Sequence, residues 1–151
     1  RPTGKPALCC NDLVAHFTFP IFSAYFKSGR LPYRALLKWC LQRFLADPLI
    51  RAPNAPSFAK ITVTSQPGRR MVHILGNYPE KRADSMEVIE DELEMHDLPL
   101  SLRLDGMQPE KVYQAPSGQK ISYVISGGYL NFTLPIVKGY TLIVVESATR
   151  N

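Results

Sequence analysis

The apolar positions of residues 33–45, YRALLKWCLQRFL, fall at Leu36, Leu37, Cys40, Leu41, Phe44 and Leu45, which is one stripe of an amphipathic helix. Arg34, Lys38, Gln42 and Arg43 take the other side, Pro32 sits near the start where a missing donor costs little, and Asp47-Pro48 stops the helix. Upstream, Leu13 to Phe19 is an apolar run of strand length ended by Pro20. Residues 1–52 therefore read as a strand, a loop and a helix, the last unit of an α/β layer. His16 would then stand at the carboxyl end of a parallel sheet, where such proteins bind ligands.

After a Pro-rich spacer, RAPNAPS, the period changes from about four to two, and residues 53–151 form a second domain. Residues 58–65 and 70–77 flank Gln66-Pro67-Gly68-Arg69, and pairing 65 with 70 sets Val63 opposite Val72 and Ile61 opposite Ile74 on one face. Gly127-Gly128 predicts a two-residue hairpin turn. Pairing 126 with 129 places Ile125, Tyr123 and Ile121 against Leu130, Phe132 and Leu134 on the core side. Ser126, Tyr129, Val124, Asn131, Ser122 and Thr133 then lie on the wet side. Further strands are expected near 86–94, 98–104, 111–115 and 140–146, with turns at Asp105-Gly106, Ser117-Gly118 and Lys138-Gly139. Many short strands without intervening helices predict an antiparallel sandwich. The fold class is α+β: mainly an antiparallel β-sandwich preceded by a short strand-helix unit.

Composition is that of an ordinary globular chain, with 45% hydrophobic and 21% charged residues in 151. No apolar run approaches the ~18 residues of a membrane helix, so no membrane partner is expected. Residue 1 is Arg and no export leader is visible, which fits a piece of a longer chain. The net charge of +5 divides into +9 over residues 1–70 (11 Lys/Arg, 2 Asp/Glu) and −4 over residues 71–151 (7 against 11). The basic residues are spread singly, so the expectation is a solvated surface rather than a nucleic-acid site.

Candidate chemistry is sparse. Cys9, Cys10 and Cys40 and the three distant histidines, His16, His73 and His96, lack the paired spacing of a zinc site, so no metal and no cofactor is expected. Cys9 and Cys10 read as free thiols. Glu87, Glu90, Asp91, Glu92, Glu94 and Asp97 bring a glycosidase carboxylate pair to mind. In a strand, however, Glu90, Glu92 and Glu94 share one face and read as a charged edge that discourages aggregation. His73 should be satisfied by a cross-strand neighbour such as Thr62. No nucleophile elbow or phosphate loop is present. Tyr129, Tyr78 and Tyr113 are candidates for stacking on a sugar ring.

Residues 20–50, PIFSAYFKSGRLPYRALLKWCLQRFLADPLI, followed by MVHILGNYPEKRADSMEVIEDELEMHDLPLSLRL and VYQAPSGQKISYVISGGYLNFTLPIVKGYTLIVVE, resemble the C-terminal region of bacterial glycoside hydrolases related to β-galactosidases. That region includes a so-called β-galactosidase trimerisation domain. The resemblance implies a parent with a catalytic TIM barrel, a glutamine amidotransferase-like α/β domain and a small β-sandwich. Residues 1–52 would be the tail of the α/β domain and 53–151 the sandwich. The catalytic residues would belong to the barrel, which needs about 250 residues, so none is assigned here. The implied role is accessory, with the rest of the parent chain, carbohydrate and further copies of itself as partners. The alternative is a carbohydrate-binding module in which Tyr129, Tyr78 and Tyr113 line a groove. Without parallel neighbours, Leu13–Phe19 and Phe22–Phe26 would present a bare apolar face, to be covered by self-association or by docking of the helix on the sandwich.

Overall fold

The computed structural model describes residues 4–147. The chain divides into two compact units, Arg1–Pro48 and Leu49–Asn151. The division precedes the expected spacer, so Ile50–Arg51 is already a strand of the second unit.

In the first unit, β1 (Leu8–Cys10) and β2 (Ala15–Phe17) form an antiparallel hairpin that pairs Cys9 with His16. The turn is closed by Asn11, whose Oδ1 accepts from the amides of Leu13 and Val14 at 2.9 and 2.8 Å. An Asx-type turn of this kind needs only local residues, and it corrects the expected parallel strand over Leu13–Phe19. His16 accordingly stands in a hairpin and not at the end of a parallel sheet. Residues expected to be a loop form helix α1 (Ile21–Ser28), which ends at Gly29 with φ 60° and its amide bonded to Tyr25 O. Helix α2 (Leu31–Phe44) follows, with Pro in its first turn as its sequence predicts. Phe19 packs on Phe17 and Tyr33 at ring separations of 6.3 and 5.8 Å. Ile21 and Cys40 are buried, whereas Leu13 is 88%, Phe22 71% and Phe26 92% exposed. Cys9, Cys10 and Cys40 are free thiols. Among the described residues, no helix is long and apolar enough to cross a membrane.

The second unit is an antiparallel β-sandwich organised by one long strand. Its elements are β3 (Ile50–Arg51), β4 (Lys60–Gln66), β5 (Arg69–Gly76), β6 (Glu80–Ala83), β7 (Met86–Val88), β8 (Glu94–Arg103), β9 (Pro109–Ala115), β10 (Gln119–Lys120), β11 (Tyr123–Ser126) and β12 (Tyr129–Ser147). The first half of β12 pairs with β8 and β11, and β3 extends that layer beside β8. Its second half pairs with β5 and β9, giving the order β10-β9-β12-β5-β4. The changeover is at Gly139, whose φ of 57° an L side chain rarely adopts. Just before it the ladder with β8 skips Pro135, which has no amide to donate.

Alternation along β12 supplies both inner faces. Leu130, Phe132 and Leu134 meet Leu98, Leu100 and Leu102, while Ile143 and Val145 meet Val72 and Ile74; all ten are buried in one core. Both expected hairpins have the pairing their sequences dictate, Val63 with Val72 and Ile61 with Ile74 in one, Ile125 with Leu130 and Tyr123 with Phe132 in the other. The expected strand over 86–94 is interrupted. The chain leaves its small β6–β7 hairpin after Val88 and re-enters a sheet at Glu94, so Glu90, Glu92 and Glu94 do not share a strand face. Glu90 instead pairs with Arg82, and Glu94 lies 3.5 Å from His96 and 3.7 Å from Lys138.

At one end the Asp105-Gly106 turn, with φ of 49° and 83°, carries the chain from one layer to the other. Arg70 of β5 reaches across to donate to Arg103 O and, at 3.1 Å, to Asp105 Oδ2, while Arg103 Nε donates to Asp105 Oδ1 at 2.6 Å. Desolvation works to raise the Asp105 pKa, but the hydrogen bonds and charges of Arg103 and then Arg70 outweigh it and hold the carboxyl below its ordinary value.

Candidate functional site

With Val72, Ile74, Ile143, Val145 and Val112 turned inward, strand alternation sends the intervening residues of β4, β5, β12 and β9 to the outer face of the five-stranded layer. The register arranges them in rows. One crosses Gln66, Arg69, Glu146 and Lys111; the next crosses Thr64, Met71, Val144 and Tyr113; a third crosses Thr62, His73, Leu142 and Ala115. The face is thus charged at one end and apolar in its middle, where Val144 is only 5% exposed although it points away from the core.

Hydrogen bonds hold several of its side chains, His73 and Tyr113 among them. His73 lies 2.8 Å from Thr64 Oγ1 through Nε2 and 2.7 Å from the Tyr140 hydroxyl through Nδ1. Its side-chain partner on β4 is thus Thr64 rather than Thr62, which is its register neighbour. Tyr113 donates to Glu146 Oε1 at 2.9 Å. That hydrogen bond, with desolvation and the carboxylate's charge, pushes the phenol above its ordinary pKa, against a smaller opposing effect of Arg69.

Beside Tyr113 the edge of the sandwich opens into a cleft of about 520 Å³. Ile121 supplies its apolar lining, since the neighbouring Val112 is turned into the core, while Tyr113 and Tyr123 supply its rings and Lys111, Lys120, Glu110 and Glu146 its charges. The short strand β10 positions Lys120 opposite Tyr113. Backbone bonding from Ile121 N to Val112 O, at 2.9 Å, then holds the chain close as it leaves for β11. A second depression of about 580 Å³ adjoins the first through Glu110, Lys111 and Glu146 and runs to the Pro67-Gly68 turn.

The three tyrosines singled out in the sequence do not share one groove. Tyr113 lines the cleft just described. Tyr78 lies in another depression, 51% exposed, with its ring edge-on to Phe58 at 5.8 Å. Tyr129, expected on the wet side of its hairpin, is only 5% exposed, because the Arg51 guanidinium of neighbouring β3 covers its ring at 3.9 Å. Tyr123, Lys120 and Glu146 were not among the expected site residues. Tyr123 carries a core-side signal in its hairpin, and a two-residue strand such as β10 leaves no periodic trace. Among the described residues, no group of three or more His, Cys, Asp or Glu side chains is placed to hold a metal ion.

No family model and no curated protein sequence matches the chain. Among solved structures it is similar to alpha-L-fucosidase isoenzyme 2 from Paenibacillus thiaminolyticus, at 26% identity and a TM-score of 0.89. The similarity covers 97% of this chain and 22% of the fucosidase chain. The chain thus has the fold of a segment found within a glycoside hydrolase.

Proposed function

We propose that the chain is a non-catalytic accessory region of a larger glycoside hydrolase, in which it packs against the catalytic part and shapes contacts between subunits. The observation that carries this reading is the shared fold of almost the whole chain with about a fifth of a fucosidase chain. The greater part of such an enzyme lies outside the shared segment. The finer attribution is to a β-galactosidase-like parent with a trimerisation domain, residues 1–52 being the tail of its amidotransferase-like layer and 53–151 its sandwich. It rests on the sequence resemblance.

Surface chemistry supports the accessory role. Phe22, Phe26, Leu31, Trp39 and Leu41 of the two helices are all exposed, far more apolar surface than a small unit burying Ile21 and Cys40 would leave to water without a partner. In the parent that partner is the rest of the polypeptide. The chain alone should therefore self-associate and bind an apolar dye, and Phe26→Ser with Phe22→Ser should reduce both in sedimentation and fluorescence measurements. A monodisperse monomer without dye binding contradicts the reading.

A second reading, a carbohydrate-binding module, is favoured by the ring-lined cleft beside Tyr113.

A further inference from the structure

We propose that the cleft between β9, β10 and the start of β11 is a subsite for a short neutral oligosaccharide, with Tyr113, Tyr123, Lys120 and Glu146 as its contacts. The proposal rests on the reading of this chain as part of a glycan-acting polypeptide and assigns that reading a place.

Size is the first argument. A volume of about 520 Å³ lies within the ~300–1,000 Å³ of small-molecule sites. The adjoining depression of about 580 Å³ shares Glu110, Lys111 and Glu146 with it, so a ligand of more than one ring has a second hollow beside the first.

The lining selects the ligand chemistry. A sugar presents an apolar C–H face and a rim of hydroxyls, each able to donate and accept. The cleft offers two phenol rings and the half-buried Ile121 for the first, and two carboxylates and two ammonium groups for the second. A polyanion such as a phosphorylated ligand would meet Glu110 and Glu146 at close quarters. A purely apolar ligand would strip water from four charged side chains without replacing their hydrogen bonds. A neutral polyol meets both kinds of surface at no such cost.

Part of the site is held in place beforehand. Tyr113 is oriented by its 2.9 Å bond to Glu146, and Lys120 is set opposite it by the β9–β10 register. Binding therefore orders few additional rotamers, which lowers its entropic cost.

The test is a titration of the isotope-labelled chain with fucosyllactose, galactobiose and cellotriose, followed by amide chemical shifts. Saturable shifts confined to residues around Lys111, Tyr113, Lys120, Tyr123 and Glu146, at millimolar affinity or better with at least one sugar, are expected. Tyr113→Ala should weaken binding about three- to tenfold, the range of one aromatic contact, and Tyr113→Phe should retain most of it. Lys120→Ala, an exposed edge substitution that leaves the core untouched, should weaken it by a smaller factor. Shifts with none of the sugars, shifts centred on Phe58 and Tyr78, or unchanged affinity in both alanine variants overturn the subsite. A silent titration leaves the accessory role standing, whereas glycoside turnover by the chain would remove that role without touching the subsite.

Discussion

Gly139 is where one strand becomes a member of two sheets, and replacing it by alanine isolates the energy of that changeover. Its φ of 57° lies in the left-handed region, where a Cβ costs about 1–2 kcal/mol. The added carbon would also stand 3.0 Å from Glu92 Oε1, the end of a flexible side chain that can swing away. The conformational term therefore dominates, and Gly139→Ala should lose about 1–2 kcal/mol, or about 4–16 °C in Tm for a domain of roughly a hundred residues. Differential scanning calorimetry reads the shift. Gly139→Asn separates backbone strain from crowding: asparagine is the larger side chain, but it tolerates positive φ better and should recover part of the loss. An unchanged Tm in the alanine variant, or an asparagine variant at least as unstable as it, would refute the argument that the backbone angle is what matters.

Two further outcomes follow from the packing and charge of the sandwich. Leu100 is 1% exposed in the core, so Leu100→Ala should cost about 2–5 kcal/mol in urea denaturation, against roughly 0.5 kcal/mol or less for Val124→Ala on the wet face. Asp105, whose folded pKa lies below its unfolded value of about 3.9, contributes stability that is present above that value and is lost as pH falls through the folded pKa. Asp105→Asn should therefore flatten the urea midpoint between neutral pH and pH 3 relative to the parent chain, and an equally steep acid loss in the variant would exclude Asp105 as its source.

The hairpins were legible because two-residue turns fix register, and register fixes which side chains meet. Gly127-Gly128 and Pro67-Gly68 each carry that information within a few residues. Helix α2 was legible for a similar reason: its stripe is long and ends at a proline signal. The first hairpin was not, because the decisive contact is Asn11 closing its own turn, and an apolar run alone does not say whether its neighbour is parallel or antiparallel. Helix α1 is eight residues long and aromatic-rich, too short for its period to stand out. Nor does alternation reveal that β12 serves two layers, since the inward residues alternate on both sides of Gly139. The cleft was half visible: Tyr113 could be picked as an outward ring, but its neighbours Lys120 and Tyr123 arrive through a short strand and a backbone bond between Ile121 and Val112. Tyr129 was misplaced because alternation gives the side of a sheet and not what covers it; Arg51, far away in sequence, does so.

The most direct test of the central claim is hydrolysis of chromogenic aryl fucosides and galactosides by the purified chain at high enzyme concentration. If, as proposed, the reaction belongs to another part of a parent polypeptide, no release above the buffer blank is expected. Saturable turnover that disappears on replacing Glu110 or Glu146 by glutamine, in variants that remain folded, would contradict it.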